Sequence, residues 1–447
     1  MKKVVSALVA ICLCLSCFTA CSNAQQNSSK KPESSKSTAS GKVSSETSVE
    51  KAKVVFWDLA WGQDDYLNAA EKLVEQFNEE HSDIVLEYQA IPWDGYLQNF
   101  TTAIASDAGP DMSTGGGSMQ HLFATMGEIL TLDPIIEAWE REGTLDDIDP
   151  IALSLIRYDG KQIGIPWQFD PRMMWYNTEL FEQAGITELP ANLDEFKAAL
   201  QKLQGSGVKN PFVLDGKGGY EALSFWQSIA FEFGGGMVED GKVIVDSAES
   251  KQAFSYIKDL MENGLIPQDV AGWSADDAKT QFLQGNAGVI WGTGDIKVQA
   301  QQQAADMADK LAILPRITSL TINPANSIMG YNKTENKEAT LEAIKWWSEN
   351  ELPLFTDGKL GKIPARKSFM EDPAVIGTGS NQEIIEKIVP NSVGNGYPNS
   401  ELFPQYQTIM GDLVITNAFQ ELLLTETSVD NVAAKAKEEI EAIMEAK

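Results

Sequence analysis

The sequence predicts an α/β chain folded as two lobes, and three observations carry that expectation. At 447 residues it exceeds what one hydrophobic core ordinarily organises. From Val54 onward, short apolar runs alternate with segments whose apolar residues recur at helical spacing. A stiff segment then interrupts the alternation, Gly164-Ile165-Pro166-Trp167-Gln168-Phe169-Asp170-Pro171. Its two prolines fix their own φ and hold the preceding residues extended, as suits a crossing between lobes.

The first residues read as a leader. Met1-Lys2-Lys3 is basic, Val4 to Phe18 is an apolar core too short to span a bilayer comfortably, and Phe18-Thr19-Ala20-Cys21 ends it. All four cysteines lie at or before Cys21, so the body can hold no internal disulfide. Small residues before a cysteine look like a lipobox, with residues 1–20 as signal peptide and Cys21 as the site of lipid attachment. Phe18 stands where leucine is usual; the other reading is a plain secretory leader. Residues 21–51 are rich in Ser, Lys, Gln and Thr and nearly free of large apolar groups, so they form a tether.

Val54-Val55-Phe56-Trp57 reads as a buried strand. Tyr66, Ala70, Leu73 and Phe77 form one helix face, and Ile84-Val85-Leu86 is the next strand. Such alternation implies parallel pairing, with ligands bound at the carboxyl ends of the strands. The loop after the first strand carries Asp58, Trp61 and Gln63. Trp93-Asp94-Gly95-Tyr96 opens a helix leading to Gly109-Pro110-Asp111-Met112, where Asp111 reads as a turn group. Ser113 begins the small, flexible stretch Ser113-Thr114-Gly115-Gly116-Gly117-Ser118.

Past the crossing, Met173 to Tyr176 reads as a strand and Thr178 to Ala184 as a helix closed by Gly185. Asn192 and Glu195 fit a capping pair before Phe196, Leu200 and Leu203. Glu221 to Phe233 is a helix carrying Trp226. Ser274 and Asp277 cap another, which feeds the strand Ala287 to Trp291 and the turn Gly292-Thr293-Gly294-Asp295. Ile328 to Tyr331, the helix Lys337 to Trp347 and the run Gly361-Lys362-Ile363-Pro364-Ala365-Arg366 follow.

These runs, in this order, resemble a known family. Gly164-Ile165-Pro166, then Trp175-Tyr176-Asn177, Leu180-Phe181, Ala184-Gly185-Ile186 and Asn192-Leu193-Asp194-Glu195-Phe196 are similar to the first lobe crossing of family-1 extracellular solute-binding proteins, the maltose-binding-protein-like carbohydrate receptors of bacterial ABC importers. The resemblance runs from about residue 52 to the C-terminus. It implies a two-lobed periplasmic-binding-protein-like fold, each lobe a mostly parallel sheet flanked by helices and joined by hinge crossings. Residues 52–168 and 295–358 would build the N-terminal lobe, and 169–294 and 359–447 the C-terminal lobe. The small loop at 113–118 departs from maltose-binding relatives, which present an aromatic and charged residues there, and Asp295 stands at or beside a family tryptophan.

Composition narrows the function. A net charge of −29 argues against nucleic acid or an anionic membrane surface as partner. Two histidines without metal-ligand spacing, no cysteine nucleophile in the body and no phosphate-binding or serine-hydrolase motif leave catalysis without support, and no cofactor or metal is expected. The positive signal is eleven tryptophans. Sugar C–H faces pack on flat rings, while hydroxyls need carboxylate, amide or guanidinium partners. Trp61, Trp167, Trp226 and Trp273 fall on loops or lobe-facing helix starts, where they can line a cleft, and Trp291 ends a strand. Trp57, Trp139, Trp175, Trp346 and Trp347 read as packing. Asp170 and Asp295 are the leading polar contacts, with hinge bracing as their alternative role. Arg366 either clamps ligand or pairs with another acid; Glu221, Tyr331 and Tyr406 complete the candidates.

The expectation is a monomeric, lipid-anchored extracellular receptor that closes on an oligosaccharide and presents it to an ABC permease, held to the membrane by its anchor alone. A secreted carbohydrate-active enzyme and a binder of another solute, such as a polyamine, are the competing readings.

Overall fold

The computed structural model describes residues 51–446 except Asp94, Gly117, Gly219, Pro315, Arg316, Ser400 and Glu401. The leader, Cys21 and all of the tether before Lys51 lie outside the described residues.

The first sheet begins with the strand Ala52–Leu59, central among its three parallel strands and one in from the sheet's edge, whose inward residues Val54 and Phe56 are fully buried. Ile84–Ile91 lies parallel on one side, reached through the helix Asp64–Glu80. Met112–Gly115 lies parallel on the other, reached through Tyr96–Ala105. Asp111 is the turn group expected: its carboxylate accepts the Val55 N–H at 2.7 Å, tying the incoming strand to the central one. Beyond Met112–Gly115 come Ala325–Tyr331, Ile165–Phe169 and the edge strand Ile363–Pro364, each antiparallel to its neighbour.

The second sheet has the order Leu311–Ile313, Met173–Asn177, Ala287–Gly292, Asn210–Val213. Only its last pair is parallel. Helix ends follow the sequence signals. Asn177 and Asn192 accept the N–H groups of Glu179 and Glu195, Ser274 and Asp277 form a reciprocal capping box, and Gly185 takes φ +66°. Glu195 differs in one detail: it accepts the N–H of Ala191, one residue before the cap.

Two expectations need correction. The sheets are mixed, not mostly parallel. Parallel pairs occur where a helix carries the chain back along the sheet, whereas strands entering from a lobe crossing run the other way. The return to the first lobe also comes later than residue 295. Ile296–Gln303 and Leu311–Ile313 follow, and the latter strand pairs with Met173–Asn177 on the second sheet. The first sheet is rejoined only at Ala325, and it still holds Ile363–Pro364 beyond the expected boundary at 359. The helices Val414–Leu424 and Val429–Glu445 pack on Ala248–Glu262 of the second lobe. No helix among the described residues is long and apolar enough to cross a membrane.

Candidate functional site

A cleft of about 1110 Å³ separates the two sheets, lined by loops at their facing ends and by the crossings. Its first-lobe wall is aromatic. Trp61 leaves the central strand and meets Trp93 edge-to-face at 4.7 Å, and Trp93 meets Tyr96 at 5.2 Å. Gly95, at φ +66°, turns the chain between the last two. Trp93 is 39% exposed, an unusual state for a ring of that size, and its Nε1–H donates to the Ala60 carbonyl at 2.9 Å.

Behind the row lies a hydrogen-bond relay. The Trp61 indole donates to the Thr114 hydroxyl at 2.9 Å, and Thr114 donates to Asp58 at 2.6 Å. Asp58 also accepts from Tyr66 at 2.8 Å and Tyr88 at 3.0 Å. Burial pushes its carboxyl up to about 6 against the pull of those four donors' side chains.

The opposite wall and floor are charged. Asp170 leaves the crossing between its prolines and binds Arg172 at 2.9 Å and Lys362 at 2.7 Å. Arg172 lies 3.4 Å from Glu221, and its guanidinium stacks over the Tyr220 ring at 4.7 Å. Glu221 and Tyr220 reach the cleft because they stand at the N-terminus of Tyr220–Glu232. Asp295 lies 3.7 Å from Lys279 and 3.8 Å from Lys362, and bonds the hydroxyl of Thr293. Burial would raise the Asp295 carboxyl, but Lys279 and Lys362 overcome it and hold it well below the usual range. Burial would likewise depress Arg172, yet Asp170 and Glu221 keep it raised. Asp295 and Arg172 are therefore both charged at neutral pH.

Gln407 joins the walls across the cleft, and Tyr96 of the aromatic row is one of its hydrogen-bond partners. Ser118, before the first-lobe helix Met119–Thr125, donates to Gln407 on the helix Tyr406–Gly411. The adjacent Tyr406 donates to Gln227 of Tyr220–Glu232 at 3.1 Å, anchoring that helix to the second lobe.

The arrangement can hold a ligand with flat apolar faces and many hydroxyls, and the architecture agrees with known proteins. Residues 61–352 match the family model described as bacterial extracellular solute-binding protein. The chain belongs to that family. The structure of a sugar transporter from Arthrobacter chlorophenolicus with bound laminaribiose superposes with a TM-score of 0.81, at 24% identity, over 88% of this chain and 100% of that one. A binding protein of Brucella abortus is 24% identical over 381 residues, covering 84% of this chain and 89% of its own length. The arabinooligosaccharide-binding protein of Halalkalibacterium halodurans is 23% identical over 424 residues, covering 88% and 90%. The laminaribiose-bound structure shares the fold of this solute-binding protein over its whole length.

Of the residues singled out from sequence, Trp61, Gln63, Asp170, Glu221 and Asp295 line the cleft. The others do not. Trp167 is fully buried, beneath Trp61 at 5.3 Å and against Phe355 at 5.8 Å, because its strand is covered on both faces and buried throughout. Trp226 is 1% exposed and packs on Phe254; its helix is buried from Ala222 to Phe231, so position alone could not aim it at a ligand. Trp291 donates to Ser224 inside the second lobe. Trp273 is half-buried against the core, beside Ser274, which does line the cleft. Asp58 supports Trp61 from behind. Ser113 and Tyr331 bond each other at 2.8 Å within the first sheet. Arg366 binds Asp147 at 3.3 Å and the Ser348 carbonyl, and stacks on Trp139, so its pairing role prevails. Tyr406 braces its helix, and its neighbour Gln407 faces the cleft.

Trp93, Tyr96, Arg172, Lys279 and Lys362 were not foreseen. Two aromatics flanking Asp94-Gly95 at a helix start carried a signal, since an apolar pair beside a turn glycine is placed by the turn. The cations carried none; they are legible only once Asp170, Glu221 and Asp295 are known to converge.

Proposed function

We propose that this solute-binding protein is an extracellular receptor for an oligosaccharide, tethered by lipid at Cys21, which closes its cleft on the ligand and delivers it to an ABC permease. The observation that carries the reading is the pairing of the Trp61–Trp93–Tyr96 row with a wall of hydrogen-bonding charges across one cleft. Pyranose C–H faces stack on such rings, and sugar hydroxyls, each donor and acceptor, bond carboxylates and cations together. Relatives named for arabinooligosaccharide and solved with laminaribiose support the class. Lobes joined by crossings allow hinge closure, in which the ligand stabilises the form a permease recognises.

The carboxylates favour binding over hydrolysis. A glycosidase needs one acid kept protonated near neutral pH. Asp170 and Glu221 are instead ion-paired, and Asp295 is held strongly acidic by two lysines.

Thermal shift against neutral oligosaccharides tests the reading. Ligand at about one hundred times its Kd should stabilise the protein by roughly 2.7 kcal/mol. New reducing ends after incubation would indicate an enzyme, and stabilisation by no sugar would refute the proposal. For the anchor, Cys21→Ser should abolish lipid-dependent processing and membrane retention; retention of a processed Cys21→Ser protein would rule the anchor out.

A further inference from the structure

We infer that the cleft selects an uncharged oligosaccharide and discriminates against sugars bearing a carboxylate or an ammonium. This rests on the proposed sugar-binding role and deepens it. The whole chain carries 64 acidic and 35 basic side chains. The cleft does not share that excess. Its ion-pair network joins three carboxylates, Asp170, Glu221 and Asp295, to three cations, Arg172, Lys279 and Lys362. Among the described residues, the remaining charged lining groups are again two and two: Asp215 and Asp276, Lys217 and Lys359.

The connectivity matters as much as the balance. Each cation of the network is already held by a carboxylate: Arg172 by Asp170 and Glu221, Lys362 by Asp170 and Asp295, Lys279 by Asp295. Arg172, Lys362 and Asp170 are almost wholly buried. An entering uronate would have to displace one of these carboxylates or add a fourth anion where water is scarce. An entering ammonium would compete with Lys362 or Arg172 for Asp170 against partners fixed in place by the fold. Either way a desolvated charge ends without full compensation, and that is costly in such surroundings. A neutral polyol meets no such conflict. Its hydroxyls can accept from Lys279 and Lys362 and donate to Asp295 and Glu221 without breaking the pairs.

The network therefore sets a charge filter, while the aromatic row is indifferent to charge at a distant ring position. Removing one member should retune the filter in a chosen direction. Glu221→Gln leaves Arg172 with a single carboxylate and the cleft one charge more positive. Lys279→Met leaves Asp295 with only Lys362 and the cleft one charge more negative.

The experiment is titration calorimetry of the mature protein against three sets of probes of matched length. These are neutral gluco-, xylo- and arabino-oligosaccharides, oligogalacturonates, and fully deacetylated glucosamine oligomers. Spermidine is added as a non-sugar cation. At least one neutral probe should bind at least about tenfold more tightly than every charged probe. Its affinity should change less than about twofold between roughly 0.05 and 0.5 M salt, because no net charge is screened. Glu221→Gln should narrow the gap for oligogalacturonates and Lys279→Met the gap for glucosamine oligomers, each relative to the best neutral probe. An oligogalacturonate or glucosamine oligomer that binds the native protein as well as the best neutral sugar would overturn the inference and leave the sugar reading intact. Binding of spermidine with no sugar bound, or of no probe at all, would overturn both. Variants that lose all probes equally would also count against the filter, since a merely structural network predicts that result.

Discussion

Lys362 sets its ammonium 2.7 Å from the carboxylate of Asp170, although 192 residues separate them in the chain. Asp170 lies on the first crossing and Lys362 just before the last strand of the first sheet, so the pair fastens two strands of the hinge region together. Because Asp170 also holds Arg172, removing it takes the nearer of two carboxylates from each of two nearly buried cations, leaving Arg172 with Glu221 and Lys362 with Asp295. Asp170→Ala should therefore lower unfolding stability by about 3–5 kcal/mol without ligand, with Asp170→Asn milder. Urea titration checks it. Unchanged midpoints would mean that water reaches and solvates the cations.

The tryptophans separate into two mechanical classes. Trp93→Ala should weaken sugar binding by about 1–3 kcal/mol and leave the unfolding midpoint nearly unchanged, because the ring is exposed at the cleft. Trp226→Ala should do the reverse, costing about 3–5 kcal/mol of stability through the cavity left against Phe254, with affinity preserved in protein that remains folded. Calorimetry and denaturant unfolding on both variants give the comparison. Equal loss of affinity in the two would contradict the assignment of Trp226 to the core.

That contrast also shows what the sequence could convey. Periodicity located Ala52–Leu59, Asp64–Glu80 and Met173–Asn177, since buried faces repeat with the geometry of the element. The capping residues Asn177, Asn192 and Ser274 marked helix starts because their hydrogen bonds are local. Sheet order is not local: whether Ala325–Tyr331 pairs antiparallel with Met112–Gly115 depends on the direction of a return through the hinge. The site divides the same way. Asp170 was marked by its own prolines, whereas Lys362 and Lys279 gain meaning only from carboxylates far away in sequence. Trp167 misled because a rigid crossing suggests exposure, yet the strand Ile165–Phe169 is buried throughout.

Asp58 supplies a pH dependence whose sign can be fixed. Its carboxyl is raised from an ordinary 3.8 to about 6 by burial, facing the hydroxyls of Tyr66, Tyr88 and Thr114, with the Glu351 carboxyl also acting on this region. The folded protein thus binds this proton more tightly than the unfolded chain. Its stabilising contribution is fully present below about pH 4 and is lost as pH rises through about 6. The shift corresponds to a loss on the order of 3 kcal/mol. Subtracting the stability of Asp58→Asn from that of the native protein should reveal this fall between about pH 4 and 6, flat above. A difference that rises with pH would show that the ionised form is the better accommodated one.

Tyr406 and Gln407 are neighbours in sequence that serve opposite lobes. Tyr406 donates to Gln227 within the second lobe, and Gln407 accepts the hydroxyl of Ser118 from the first. Both Ser118 and Gln407 line the cleft, so their bond can persist only while the lobes are together. It is thus a contribution to closure that exists in one state and not the other, and only such a difference shifts the equilibrium. A buried hydrogen bond is worth about 0.5–1.5 kcal/mol net, so Gln407→Ala should reduce the closed-to-open ratio by roughly twofold to tenfold. Sugar affinity should fall by the same factor if the open form binds weakly. Ser118→Ala should give a smaller loss, since Gln407 keeps Tyr96, and the double variant little more than Gln407→Ala alone, because both remove the Ser118–Gln407 bond. Small-angle scattering of the ligand-free variants should report a larger mean radius than that of the native protein. Tyr406→Phe separates bracing from latching: it leaves Gln407 in place and should lower stability more than it lowers affinity. Additive losses in Ser118→Ala and Gln407→Ala, with no change in scattering, would show that the two side chains contact ligand independently and do not hold the lobes to one another.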